Sequence, residues 1–165
     1  MMRAARYWIG GVGTLAAVWV SAGTIAMAAP GPVVTTGSVA IVGVGPGTVS
    51  VAGTVLVMGS VGPGRTRSTV VIRTYRTRAR FDGRVIPPHS LRRFTLGAGR
   101  GFFLIDVQGP VRVTMHGTGL SASIVGTATV TFRGRGAYQP TFGRRAPWPK
   151  APLRVLQPLS GRRHR

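Results

Sequence analysis

The sequence predicts an all-β protein: a single small antiparallel sandwich or barrel, alternatively a short β-solenoid, preceded by a signal helix and followed by a disordered tail. Three observations lead there. From Val33 onward, glycine recurs every few residues between short pieces rich in Val and Thr, residues that are stiff at χ1 and suit a pleated surface. Two segments alternate strictly between apolar and polar positions, the period of a half-buried strand. No stretch beyond residue 28 sustains a 3.6-residue period, and Gly or Pro interrupts every helix candidate.

At the N-terminus, Arg3 and Arg6 precede an apolar run that closes on Ala26-Met27-Ala28 before Ala29-Pro30. A positive n-region, an apolar h-region and a small-residue site describe a secretory signal peptide, residues 1–28, and place the remainder outside the cytoplasm, secreted or in the cell envelope. The apolar stretch is also long enough for an uncleaved membrane anchor. Gly10, Gly11, Gly13 and Gly23 weaken that helix, and Pro30 follows a good peptidase site. Either way, the N-terminal cations hold that end in the cytoplasm.

Residues 29–139 are expected to form the β domain, with enough chain for one modest core. Glycines in the run 47–59 read as turn punctuation between short strands. Phe102-Phe103-Leu104-Ile105 is apolar on both faces and suggests a central strand covered on each side, preceded by a turn at 97–101. Val111, Val113 and Met115 alternate with Arg112, Thr114 and His116. Ala128, Val130 and Phe132 alternate with Thr127, Thr129, Thr131 and Arg133. A solenoid should hold a fixed repeat, whereas the glycine spacing drifts and residues 65–93 depart from it, which favours the sandwich or barrel. After Gln139, five prolines and seven cations without an acid predict a basic, Pro-rich disordered tail over 140–165, from which Trp148 packs back on the domain or meets a lipid interface.

The segment from Gly117 through Ser121-Ala122-Ser123-Ile124-Val125-Gly126 to Arg133-Gly134-Arg135-Gly136-Ala137-Tyr138 resembles small exported Gly/Val/Arg-rich β proteins of actinobacteria. They share a strand of alternating Arg and Val, a Gly-Thr/Ser-Gly turn and a strand ending in Gly-x-Tyr. The likeness extends back over residues 102–115 and 49–72. It implies export and an all-β fold, and it carries no established activity. The departure is charge, since such relatives carry more acids.

Charge is the strongest functional signal. The 165 residues hold 22 Lys and Arg against two acids, Asp82 and Asp106, a formal net charge of +20. Removing Arg3 and Arg6 with the leader leaves +18. Lys150 is the only lysine, and Cys, Asn and Glu are absent. Without cysteine, no disulfide supports the fold. Catalysis has a poor inventory: Ser121, His116 and Asp106 lack a nucleophile elbow, and paired-carboxylate chemistry requires Asp82 and Asp106 to converge. Asp106 is expected to pair with a neighbouring Arg instead. No two His stand at ligand spacing, and the glycine run 43–47 lacks the Lys and helix of a phosphate loop. The expectation is therefore no enzyme, no cofactor and no metal.

The feature that rises above this background is Arg73, Arg76, Arg78, Arg80 and Arg84, flanked by Arg65, Arg67, Arg92 and Arg93. If residues 70–81 form one strand, Arg76, Arg78 and Arg80 make a comb on one face, with Tyr75 and Arg73 on the other. Guanidinium forks suit phosphate and carboxylate; an edge strand also uses cations merely to block pairing. The expected function is non-catalytic binding of an anionic envelope polymer or lipid headgroups, with Arg73, Arg76, Arg78, Arg80 and Arg84 as the anion site. The alternative is a structural, self-assembling envelope protein, a possible homo-oligomer. Export argues against a physiological nucleic-acid partner.

Overall fold

A computed structural model of the chain describes residues 31–61, 68–96, 102–107 and 109–157. The leader at 1–28, the turn at 97–101 and residues 158–165 of the expected tail lie outside the described residues. Eleven strands and no helix are found within them: β1 (Val33–Thr36), β2 (Ser38–Val61), β3 (Ser68–Thr74), β4 (Ala79–Phe81), β5 (Arg84–Ile86), β6 (Leu91–Leu96), β7 (Phe102–Val107), β8 (Val111–Thr118), β9 (Leu120–Pro140), β10 (Ala146–Pro147) and β11 (Leu153–Leu156).

All belong to one open sheet, and every ladder except β1 with β11 is antiparallel. Stacked parallel coils are therefore not the architecture, and among the described residues the sheet does not close into a barrel. Its spine is the pairing of β2 with β9, continuous from Thr48 opposite Arg133 to Val61 opposite Leu120. Beyond a register slip between Val44 and Thr48, β2 continues against the far end of β9, with Val39 opposite Pro140. Residues 38–42 also pair along their other edge with residues 121–125. The ribbon thus winds back on itself, which only strongly bent strands can do.

The glycines within 47–59 supply these bends and close approaches inside one 24-residue strand, rather than turns between short ones. At Gly53 and Gly126 the neighbouring carbonyls of Thr127 and Thr54 occupy the space a Cβ needs. Gly126 also has φ +128, a region L side chains rarely adopt.

Two wings leave the same edge of β2. In the β8 wing, β8 pairs with residues 46–53, then β3 with β8 and β6 with β3. In the β7 wing, β7 pairs with residues 56–60, then β4 with β7 and β5 with β4. Their inner faces meet where the ring of Phe81 on β4 stacks on Phe94 of β6, centroids 4.0 Å apart. One core fills the interior, with Ile41, Val51, Val57, Ile72, Ile105, Val113, Ile124 and Val130 fully buried. Each such side chain stabilises the fold by about 1.5–3 kcal/mol relative to exposure.

Three expectations are corrected here. Residues 70–81 are not one strand: β3 stops at Thr74, residues 75–78 cross between the wings, and β4 pairs with β7. The buried Thr74 hydroxyl anchors the crossing, donating to the Pro87 carbonyl at 2.7 Å and accepting from the Ser90 N–H at 2.9 Å. Nor are residues 140–157 a disordered tail. β11 pairs with β9 and carries β1 on its far edge, and Leu153 and Val155 are fully buried; alternation over four residues suffices once an edge awaits it. Finally, β7 is an interior strand covered on only one face, since Phe103 and Ile105 are buried while Phe102 and Leu104 are exposed.

Candidate anion-binding surface

The alternation of β8 sends Val111, Val113 and Met115 into the core and turns Arg112, Thr114 and His116 outward. Because period-two strands keep one parity per face, the ladders extend these three positions into rows across the sheet. The first row runs Leu91, Arg73, Arg112, Ala52, Thr129, Arg154. The second runs Arg93, Val71, Thr114, Ser50, Thr131, and the third Thr95, Thr69, His116, Thr48, Arg133.

The outcome is a sheet face of guanidiniums set among hydroxyls. Arg73 and Arg112 stand directly opposite each other, a placement that brings Cβ atoms to roughly 4.5–5.5 Å. Arg93 is the diagonal neighbour of Arg73, and Arg154 lies three strand spacings from Arg112, about 14 Å. Ser50 and Thr114 share a hydrogen bond at 3.3 Å, and the Thr48 hydroxyl meets His116 Nδ1 at 2.9 Å. Neither carboxylate of the chain is on this face. Asp82 sits in the turn between β4 and β5 and accepts the Leu104 N–H at 2.8 Å, and Asp106 stands opposite Arg80 on the other wing.

The five arginines singled out from the sequence do not share one surface. Arg73 belongs to the cationic face. Arg76 and Arg78 are exposed in the crossing segment, so the expected comb does not form. Arg80 lies on the outer side of the β7 wing, and Arg84 follows the turn after Phe81, lining a cleft of about 440 Å³ together with Arg93, Asp82 and Phe94. Sequence reasoning omitted Arg93, Arg112, Arg133 and Arg154 from the site. The outward parity of Arg112 and Arg133 was readable, but which strands stand beside them is a property of register.

The remaining polar groups are dispersed. Ser121 opposes Ser60, Asp106 opposes Leu56 and His116 opposes Thr48, so the three are strung along β2 rather than gathered. Trp148 packs back on the domain, stacking on Phe132 with centroids 5.1 Å apart. Among the described residues, no three His, Asp, Glu or Cys side chains assemble into a metal-holding group. No protein-family model, curated protein or solved structure matches the chain.

Proposed function

We propose that the chain is an exported, non-catalytic module that binds polyanions of the cell envelope through the outer face of the β8 wing. The observation carrying this reading is the Arg73–Arg112 pair. Like charges directly opposite on a sheet are unfavourable, by roughly 0.2–1 kcal/mol, and a bridging phosphate or carboxylate reverses the sign. Arg93, Arg154 and Arg133 extend the same charge over the face, and neighbouring Ser and Thr hydroxyls offer further donors to acidic oxygens. The net charge supplies long-range attraction. The N-terminal leader supports a secreted or envelope location, with an uncleaved anchor as the alternative. Stacking of Phe81 on Phe94 supports reading the open sheet as two layers of a sandwich. The self-assembly reading draws on one observation, that the outer edges of β1, β5 and β6 are unpaired among the described residues.

The test is retention on purified envelope across a salt series. The Arg73→Gln/Arg112→Gln chain is expected to elute at lower salt than the parent, whereas Arg76→Gln/Arg78→Gln, in the crossing segment, elutes closer to it. Retention indifferent to ionic strength overturns the reading, because a polyanion contact made by several guanidiniums must weaken as salt rises.

A further inference from the structure

The outer face of the β7 wing has a different character. Its ladders give the rows Arg80, Asp106, Leu56, Val125; Leu104, Met58, Ser123, Ala40; and Phe102, Ser60, Ser121, Val42. Phe102 is 87% exposed, and Met58, Leu104, Val42 and Val125 between 39% and 48%. A shallow groove of about 250 Å³ runs between Met58, Phe102 and Ala40, floored by Gly59 and Ala122. Scattered exposed apolar side chains need no explanation, but a contiguous set on one sheet face does.

Charge is confined to the flanks of this face. Arg80 on β4 borders it on one side, with the exposed Val85 of β5 opposite, and Arg135 opposite Val44 borders it on the other. The interior strands between them contribute one acidic side chain, Asp106, which stands opposite Arg80. An apolar band between two cationic margins matches the membrane interface, where apolar side chains enter the acyl boundary and flanking arginines reach headgroup phosphates. It fits a second copy of the chain poorly. Pairing two such faces brings together molecules that each hold 22 cations against two acids, whereas an anionic bilayer neutralises the same charge.

We propose that the outer face of the β7 wing seats on an anionic lipid surface, with Phe102, Leu104 and Met58 at the acyl boundary and Arg80 and Arg135 on headgroup phosphates. This contact is separate from the polyanion reading of the β8 wing and uses none of its residues. Inner faces that meet at Phe81 and Phe94 turn the two outer faces away from each other. A chain lying on lipid therefore presents Arg73 and Arg112 outward, and the protein ties a bilayer surface to a polyanion above it.

The chain contains no cysteine, so one introduced thiol in the full chain can carry an environment-sensitive fluorophore at a chosen residue. Labels are placed at Leu104→Cys, at Met58→Cys as a second site on the face, and at Thr114→Cys on the β8 wing. With vesicles of equimolar phosphatidylglycerol and phosphatidylcholine, labels at 104 and 58 are expected to brighten about threefold, shift to the blue and be quenched by spin-labelled lipid. The label at 114 stays unchanged, and phosphatidylcholine alone gives a weaker response at 104. Labels at 104 and 58 that remain dim with these vesicles, whether or not the chain sediments with them, overturn the proposal. So does a response at 104 that tracks protein concentration without vesicles, which means a second copy covers the face. The same measurement on Arg73→Gln/Arg112→Gln keeps the two ideas apart: the lipid signal at 104 persists there even if envelope retention shows no dependence on those arginines.

Discussion

Trp148 lies across Gly136, donating its indole Nε1–H to the Ala137 carbonyl at 3.1 Å and its backbone N–H to the Gly136 carbonyl at 3.0 Å. The indole also borders Gly43, Gly47 and Gly134, so a glycine cradle at the register slip of β2 and β9 exists to receive one ring. A Cβ at Gly136 falls well inside 3.0 Å of both the indole and the Val42 carbonyl, closer than real Cβ atoms approach.

Removing the ring empties that cradle. Trp148→Ala is expected to cost about 3 kcal/mol, the lower end for a large aromatic because the ring is only partly buried. Trp148→Phe retains the packing on Phe132 and loses the indole hydrogen bond, at about 1 kcal/mol. Gly136→Ala is expected to destabilise by an amount comparable to Trp148→Ala. Urea denaturation followed by far-ultraviolet circular dichroism orders the three. A Gly136→Ala chain as stable as the parent contradicts the cradle.

A second pair of glycines sets the bend of the long ribbon. Gly126→Ala drives a methyl into the Thr54 carbonyl, and Gly53→Ala into that of Thr127. Backbone cannot yield as a flexible side chain does, so each is expected to lose about 2–4 kcal/mol, more than alanine placed at the open Gly31, where nothing lies within 4 Å. Thermal unfolding of the three single variants gives the comparison directly.

Much of this fold was readable strand by strand. Parity over 111–116 and 127–133 put the right residues inside, because one buried face imposes period two on any sequence that lines it. What parity does not contain is the partner of each strand. Arg73 and Arg80 look like members of one comb until Thr74 ends β3 and the chain crosses to β7. Arg154 looks like tail charge until Leu153 and Val155 find the free edge of β9. The glycines at 43 and 47 read as turns, and those at 134 and 136 as ordinary strand positions, because the ring that demands them sits elsewhere in the chain. One local signal went unread: Asp82-Gly83 between Phe81 and Arg84 is the dipeptide of a two-residue hairpin, with φ +47 and +79 at its two positions.

That turn makes its own prediction. Asp82 accepts the Leu104 N–H through Oδ1 at 2.8 Å, and its own N–H donates to the Leu104 carbonyl at 2.9 Å, pinning the hairpin to β7. Asn tolerates positive φ and keeps an acceptor oxygen, so Asp82→Asn is expected to change stability by less than about 0.5 kcal/mol. Asp82→Ala loses both advantages, at about 1–2 kcal/mol. Equal losses for the two variants, measured by denaturant midpoint, show that the carboxylate charge matters and the turn geometry does not.

The crossing between the wings depends on one hydroxyl. Thr74→Val keeps the shape and removes the donor to Pro87, leaving the Ser90 N–H without its acceptor. The cost is expected to be about 1–3 kcal/mol, and faster amide hydrogen exchange at Ser90 locates it. Unchanged exchange there means that another group holds the loop of residues 87–90.

The arginine face predicts opposite signs for stability and binding. Relieving the Arg73–Arg112 repulsion with either Arg73→Gln or Arg112→Gln is expected to raise stability at low salt by roughly 0.2–1 kcal/mol. Since either change removes the same repulsion, the double variant gains little beyond a single one, and a double-mutant cycle reads that non-additivity as coupling. At about 1 M salt, where the screening length falls to about 3 Å, the gain shrinks. A soluble polyphosphate added to the parent stabilises it by bridging the two guanidiniums, and this stabilisation is reduced in both single variants. Additive gains, or polyphosphate stabilisation that survives both substitutions, mean that the two arginines do not act on a common anion.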